Sequence, residues 1–166
     1  MDRDELKAKQ TPIKQQYRDQ PATACLTLHA NGDLGDGLTC SVQTGQALVE
    51  AGLHPATGGD GLSACSGDML LQALVACAGV TMRSVALSLG LDVNGTVRAE
   101  GDLDFRGTLG VDRDTPVGFT GIRLSFDLES EADQDQIDTL VRLTERYCVV
   151  FQTLADPPAL SVSTTG

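Results

Sequence analysis

At 166 residues the chain suits one domain with a substantial core, and with no Trp, two Tyr and four Phe that core must be built from aliphatic side chains. Twelve Lys and Arg against 23 Asp and Glu give a formal charge of -11, which argues against a partner recognised through nucleic-acid phosphates and against an anionic membrane surface. The N-terminus, MDRDELKAKQ, is densely charged and lacks an apolar signal segment, and five cysteines with no CxxC pair fit neither a secreted disulfide framework nor a zinc ribbon, so the expectation is a cytoplasmic protein with reduced thiols.

Residues 2–20 carry Leu6, Ile13 and Tyr17 among charges, the pattern of an amphipathic helical arm (1–21) broken at Pro12 and suited to packing on a partner. ATACLTLHA (22–30) alternates, with Ala24, Leu26 and Leu28 on one face and Cys25, Thr27 and His29 on the other, as in a half-buried strand. NGDLGDG (31–37) signals a turn, and 38–52 continues as one or two further strands of an antiparallel meander. A Gly-rich loop (53–68) follows, with Ser66 placed to cap a helix and Asp68 in its first turn. That helix is expected from Gly67 to Leu89, ending at Gly90, and is apolar almost all round, as a central helix is. Its nearly apolar run from Met69 to Met82 is too short to span a bilayer and is interrupted by Gln72.

Residues 96–109 and 119–129 read as two long strands, the second alternating Ile122, Leu124, Phe126 and Leu128 against Arg123, Ser125 and Asp127. A second helix is predicted over 131–147, acidic at its start, with Arg142 and Arg146 towards its end and Ile137, Leu140, Val141 and Thr144 as its inner stripe. After Cys148 comes a short helical turn closed by Pro157 and Pro158, then ALSVST (159–164) as a last strand. Strands, core helix, strands, helix, strand is an α+β order rather than a parallel βαβ array.

Cys77 sits mid-helix, and at ~100° per residue Ser84 and Ser88 lie within ~20° of it and Thr81 within ~40°. It reads either as a core cysteine beside hydroxyls that bond back to the helix or as a reactive thiol. Asp68 falls ~180° away on a regular helix. Cys148 lies where one helix ends and another segment begins, a position that lowers a thiol pKa, with Arg146 near enough in sequence to act the same way. Cys65 is a rival thiol at the helix start, ~18 Å from Cys77 along the axis and so beyond disulfide reach. His54, beside Pro55, is a candidate general base. Cys25, His29 and Cys40 do not converge with zinc-ligand spacing, so no metal site is expected.

The helix SGDMLLQALVACAGVTM (66–82) after a Gly-rich loop, and RYCVVFQTL (146–154) after the second helix, together resemble the OsmC/Ohr family of thiol peroxidases across residues 22–163. The resemblance implies an OsmC-like fold with antiparallel sheets packed around two central helices, in an intertwined homodimer. It implies Cys77 as the peroxidatic thiolate and Cys148 as the resolving thiol. The substrate would be an organic or inorganic hydroperoxide, with no bound cofactor and an external dithiol, lipoyl-type in related proteins, as reductant. Family members usually hold the thiolate with an arginine from the N-terminal strand region and a carboxylate near the start of the core helix. Here no Arg occurs between Arg18 and Arg83, leaving Arg18 on the arm as the replacement, and Gly67 takes the carboxylate position with Asp68 one residue on. Val149 stands where a proline commonly follows the resolving cysteine. A second reading keeps the dimer as a non-catalytic module binding an apolar small molecule around Cys77, and a third makes Cys65 an oxidant-sensing thiol.

Overall fold

A four-stranded antiparallel sheet carries its helices on one face. The computed structural model describes residues 3–34, 40–42, 51–62 and 64–164. In chain order the elements are α1 (Arg3–Asp19), β1 (Cys25–Leu34), β2 (Cys40–Val42), β3 (Ala51–Gly52), β4 (Ala64–Cys65), α2 (Ser66–Leu89), β5 (Asn94–Asp104), α3 (Phe105–Thr108), β6 (Gly121–Glu129), α4 (Gln134–Tyr147) and α5 (Val149–Ala155). The sheet runs β2-β1-β5-β6, and β3 and β4 form a separate two-residue parallel pair rather than a second antiparallel sheet. In the register, Leu26 faces Leu103 and His29 faces Glu100, while Val97 faces Phe126 and Ala99 faces Leu124.

Alternation along β5 sorts the two faces. Val97 and Ala99 are fully buried and join Leu71, Leu74, Val75 and Ala78 of α2 in the main core. On the opposite face Arg123 pairs with Glu100 at 3.3 Å and with Asp102. A second cluster joins Met82 and Ala86 of α2 to Val93 and Leu140, with Val141 and Phe126 packed against it, so α4 lies against the later turns of α2. Fully buried leucines such as Leu71 and Leu140 each contribute roughly 2–5 kcal/mol relative to Ala.

The ends of α2 follow from local chemistry. Gly90 ends it at φ 69, and the Leu91 N–H donates to the Ala86 carbonyl at 2.9 Å, which closes the last turn in the left-handed conformation that glycine adopts freely. At the other end the N-cap is Cys65 rather than Ser66, and its side chain makes no cap hydrogen bond. Asp133 caps α4 reciprocally: its Oδ1 accepts from the Gln136 N–H at 2.9 Å, and its own N–H donates to Gln136 Oε1 at 3.0 Å. As a whole α2 is 24 residues long and by length and composition could cross a membrane, a wider apolar stretch than Met69–Met82 suggests. In this fold seven of its residues are buried.

Several expectations are corrected. The N-terminal helix runs unbroken through Pro12; within the chain the Tyr17 hydroxyl donates to the Ala56 carbonyl at 2.9 Å, and Gln10 Nε2 donates to the Thr57 carbonyl at 3.0 Å. A single interior proline removes one ladder hydrogen bond, and these anchors, with Tyr17 buried against Ala24, Phe105 and Leu109, offset it. The strand predicted from residue 22 begins at Cys25, after a 3-10 turn over Pro21–Ala24, and continues through Leu34 into the predicted turn. Residues 35–39 and 43–50 lie outside the described residues. The strand predicted to run to 109 stops at Asp104, whose side chain accepts the Arg106 N–H at 3.0 Å and starts α3. The predicted last strand is not formed: residues 159–164 have no regular structure, with Leu160 91% and Val162 96% exposed, because a strand needs an edge to pair with and none within the described residues takes this one.

Asp104 also supports a pH prediction. It is buried, its carboxylate accepts the Arg106 guanidinium at 2.5 Å, and that pairing holds its pKa below the ordinary carboxylate value. A depressed folded pKa stabilises the fold above the unfolded carboxyl value of about 4 and loses that contribution as pH falls through the folded value. Melting temperature measured against pH should therefore fall on acidification below about pH 4, and Asp104→Asn should flatten that limb while lowering stability at neutral pH.

Candidate functional site

Cys77 lies halfway along α2 and is half-buried, and Cys148 lies fully buried at the joint between α4 and α5. The joint exists because Cys148 takes an extended conformation (φ -72, ψ 107) between two helices. Its N–H still donates to the Thr144 carbonyl at 2.9 Å, its carbonyl accepts from Gln152 N–H at 2.9 Å, and its Sγ accepts from Phe151 N–H at 3.5 Å. The thiol is thus both the end of one helix and the cap of the next.

This packing sets half-buried Cys77 against the core cluster that contains Cys148, and each thiol is among the groups that shift the other. Burial pushes Cys77 up, but the Val150 N–H, the Cys148 thiol, the Thr81 hydroxyl and the Val149 N–H outweigh it, and Cys77 ends below the ordinary thiol value. Cys148 is pushed up to about 11, first by burial and further by Cys77, against the opposing N–H groups of Phe151 and Val150. The pair is therefore asymmetric: one sulfur favours the thiolate and the other keeps its proton. Among the described residues Cys25, Cys65, Cys77 and Cys148 are free thiols.

None of the leading influences on Cys77 is a charged side chain, and the one charge among those on Cys148 is that of Cys77 itself. Arg18 is exposed at the end of α1, beside the Tyr17 cluster rather than the Cys77 one. Asp68 is half-buried, nine residues or about 13 Å before Cys77 along α2. His54 stacks on Phe105 with ring centroids 5.1 Å apart, and its Nδ1 accepts the Ala56 N–H at 3.1 Å. Arg146 lies 5.7 Å over the Tyr147 ring rather than on Cys148. Cys65 packs against the main core, and Cys25 is exposed with its thiol on the Asp104 carboxylate at 3.6 Å. The structure thus brings together Cys77 and Cys148, and supplies Thr81, Val149 and Val150 where the sequence pointed to charged auxiliaries. The legible signal for one of these donors was the absence of proline after Cys148, since a proline has no N–H.

That substitution yields a test. Val149 is the first residue of α5 and 71% exposed, and the extended backbone at Cys148 already suits a residue before proline. Val149→Pro should fold, remove one donor from Cys77, and move the pH midpoint of Cys77 alkylation upward by less than about one unit.

An apolar groove of about 560 Å³ opens nearby, lined by Leu70 and Leu74 of α2, Phe119, Ile122 and Leu124 around β6, and Phe151 of α5. Leu74 and Leu70 lie three and seven residues before Cys77, within ~60° and ~20° of its helical face, though Cys77 itself does not line the groove. The Phe119 ring lies across Gly101, where a Cβ would overlap it.

In this α+β chain the core helix carries Cys77 against the cluster that includes Cys148, at the joint of α4 and α5. The sequence model of OsmC-like proteins matches residues 58–163, and the chain belongs to that family. In structure it is similar to an OsmC-like hydroperoxide resistance protein from Jannaschia sp. CCS1, with a TM-score of 0.52 at 18% identity, covering 86% of this chain and 97% of that one. The likeness at that identity is one of fold. No curated protein matches the sequence.

Proposed function

We propose that this chain is a cysteine-based hydroperoxide reductase in which Cys77 attacks and Cys148 resolves. The observation that carries the reading is the packing of Cys77, on the core helix, against the cluster that holds buried Cys148, and the opposed directions of the two thiol pKa values agree with it. The Cys77 thiolate attacks the terminal peroxide oxygen; the S–O bond forms as the O–O bond breaks, and the departing alkoxide or hydroxide takes a proton from water. Cys77 is then a neutral sulfenic acid, and its contribution to the raised Cys148 pKa is gone. Cys148 loses its proton and attacks the Cys77 sulfur, forming the disulfide while hydroxide leaves and is protonated to water. An external dithiol reduces the disulfide and returns both thiols.

The designation of the Jannaschia protein as a hydroperoxide resistance protein supports this reading, and the groove along α2 suits the apolar part of an organic hydroperoxide. A homodimer and a reducing, cytoplasmic setting belong to the same proposal. Leu87 at 71%, Val80 at 40%, Leu160 and Val162 are apolar surface that a second copy would cover. Arg18 is then available to a neighbouring subunit.

The groove also favours the second reading, a non-catalytic module that holds an apolar small molecule. Steady-state assay with cumene hydroperoxide and dihydrolipoamide separates the two. Continuous peroxide loss at stoichiometric dithiol consumption supports the reductase; tight binding of the apolar alcohol with no peroxide loss supports the binding module.

A further inference from the structure

We propose that Gly101 and Phe119 set which apolar ligands enter the groove beside the two thiols: the Phe119 ring forms its wall, and Gly101 is the positioning residue that holds the ring back. The inference rests on the reductase reading for its ligand, the apolar part of an organic hydroperoxide. Gly101 lies inside β5, paired on one side with Leu28 and on the other with Ile122, where glycine weakens a strand and a close approach is a common reason for it. Alternating with Ala99 and Leu103 it faces the core, and it is buried. A Cβ there would overlap Phe119 Cδ1 and Cε1 and stand 3.3 Å from Leu71 Cδ2. The missing side chain is thus a seat for the ring on the sheet, next to the fully buried Leu71.

The ring cannot yield in every direction. The Thr120 N–H and hydroxyl both donate to the Asp102 carbonyl, at 2.8 and 3.1 Å, so the backbone beside Phe119 is tied to β5. Phe119 is half-buried, and the groove of about 560 Å³ that it lines is the open space beside it. A ring lifted off residue 101 therefore turns about its own side-chain torsions into that space and narrows it. The groove suits a neutral apolar ligand: none of its described lining side chains is ionisable, and Phe119 and Phe151 offer two aromatic surfaces. It also belongs with the thiols. Its walls Leu74, Phe119, Ile122 and Phe151 pack in the same cluster as Cys77 and Cys148, and the Phe151 N–H donates to Cys148 Sγ at 3.5 Å.

The test titrates the intact, reduced chain with cumyl alcohol, the product alcohol of cumene hydroperoxide, by calorimetry, and compares kcat/KM for cumene hydroperoxide with that for hydrogen peroxide. Gly101→Ala should weaken alcohol binding about tenfold and lower the preference for cumene hydroperoxide by about the same factor, through KM rather than kcat. In a Phe119→Ala background, where the ring is gone, Gly101→Ala should change neither. A parent chain that binds no cumyl alcohol overturns the proposal, as does a folded Gly101→Ala with unchanged affinity. An equal loss in the Phe119→Ala background overturns it too, because the effect then lies in the sheet rather than the ring. If Gly101→Ala does not fold, Phe119→Ala alone decides: it should widen the groove and favour bulkier aryl alcohols over cumyl alcohol, and unchanged selectivity overturns the proposal. Should the affinities move as expected while the parent consumes no peroxide, the reductase reading fails by itself and the groove stands as an apolar binding site; peroxide turnover with unmoved affinities fails the groove alone.

Discussion

Cys77→Ser should reduce peroxide consumption to the uncatalysed background, a loss of about three orders of magnitude or more, with little change in the fold. In the proposed mechanism the sulfur is the nucleophile, and serine offers neither a thiolate at neutral pH nor an atom that can pass through the sulfenic state. The site is half-buried, and the substitution changes one atom beside existing donors, so a melting curve close to that of the parent is expected. Initial-rate measurement with and without the dithiol checks this. A variant that turns over at the parent rate would move the chemistry to another thiol, with Cys65 and Cys25 the remaining described candidates.

Cys148→Ser should separate the two half-reactions. The first attack on peroxide proceeds, because the leading donors to Cys77 include the Val150 N–H and Thr81, which the substitution leaves in place. Resolution fails, and Cys77 accumulates as sulfenic acid, or as a mixed disulfide when a small thiol is present. The expected result is one equivalent of peroxide consumed rapidly, followed by dithiol-supported turnover at least about tenfold slower than the parent. A sulfenic-specific trapping reagent should label Cys77 in this variant and not in the parent. Loss of the Cys148 thiol donor also raises the Cys77 pKa modestly, so the first attack is itself somewhat slower at neutral pH.

Much of the architecture was legible in the sequence where a local signal and the tertiary outcome coincide. The acidic first turn at Asp68 and the glycine at 90 delimit α2 almost to the residue, and the stripe of Ile137, Leu140, Val141 and Thr144 lies on the inner side of α4 as read. Where they diverge, a specific competing interaction decides. Asp104 continues the alternation of β5 and looks like strand, yet its buried carboxylate prefers the Arg106 N–H and guanidinium and starts a helix. The segment 159–164 has strand chemistry, but pairing is a property of two strands, and its partner is not found within the described residues.

The candidate site divides the same way. Cys77 and Cys148 were singled out residue by residue, but their adjacency is a tertiary fact that only the family resemblance anticipated. The angular proximity of Thr81 to Cys77 was computable from helical geometry; that Thr81 is among the groups lowering the Cys77 pKa was not, because that depends on packing. Charged auxiliaries were sought because charge is visible in a sequence, whereas the N–H groups of Val149 and Val150 act through backbone that every residue type but proline provides.

The central claim is that Cys77 and Cys148 form a redox pair, and peptide mass mapping after one equivalent of organic hydroperoxide tests it most directly. The account predicts a chain lighter by two hydrogens, with the peptides containing Cys77 and Cys148 linked and the link lost on treatment with a dithiol. A chain whose thiols remain reduced, or whose new disulfide joins any other pair, would contradict it.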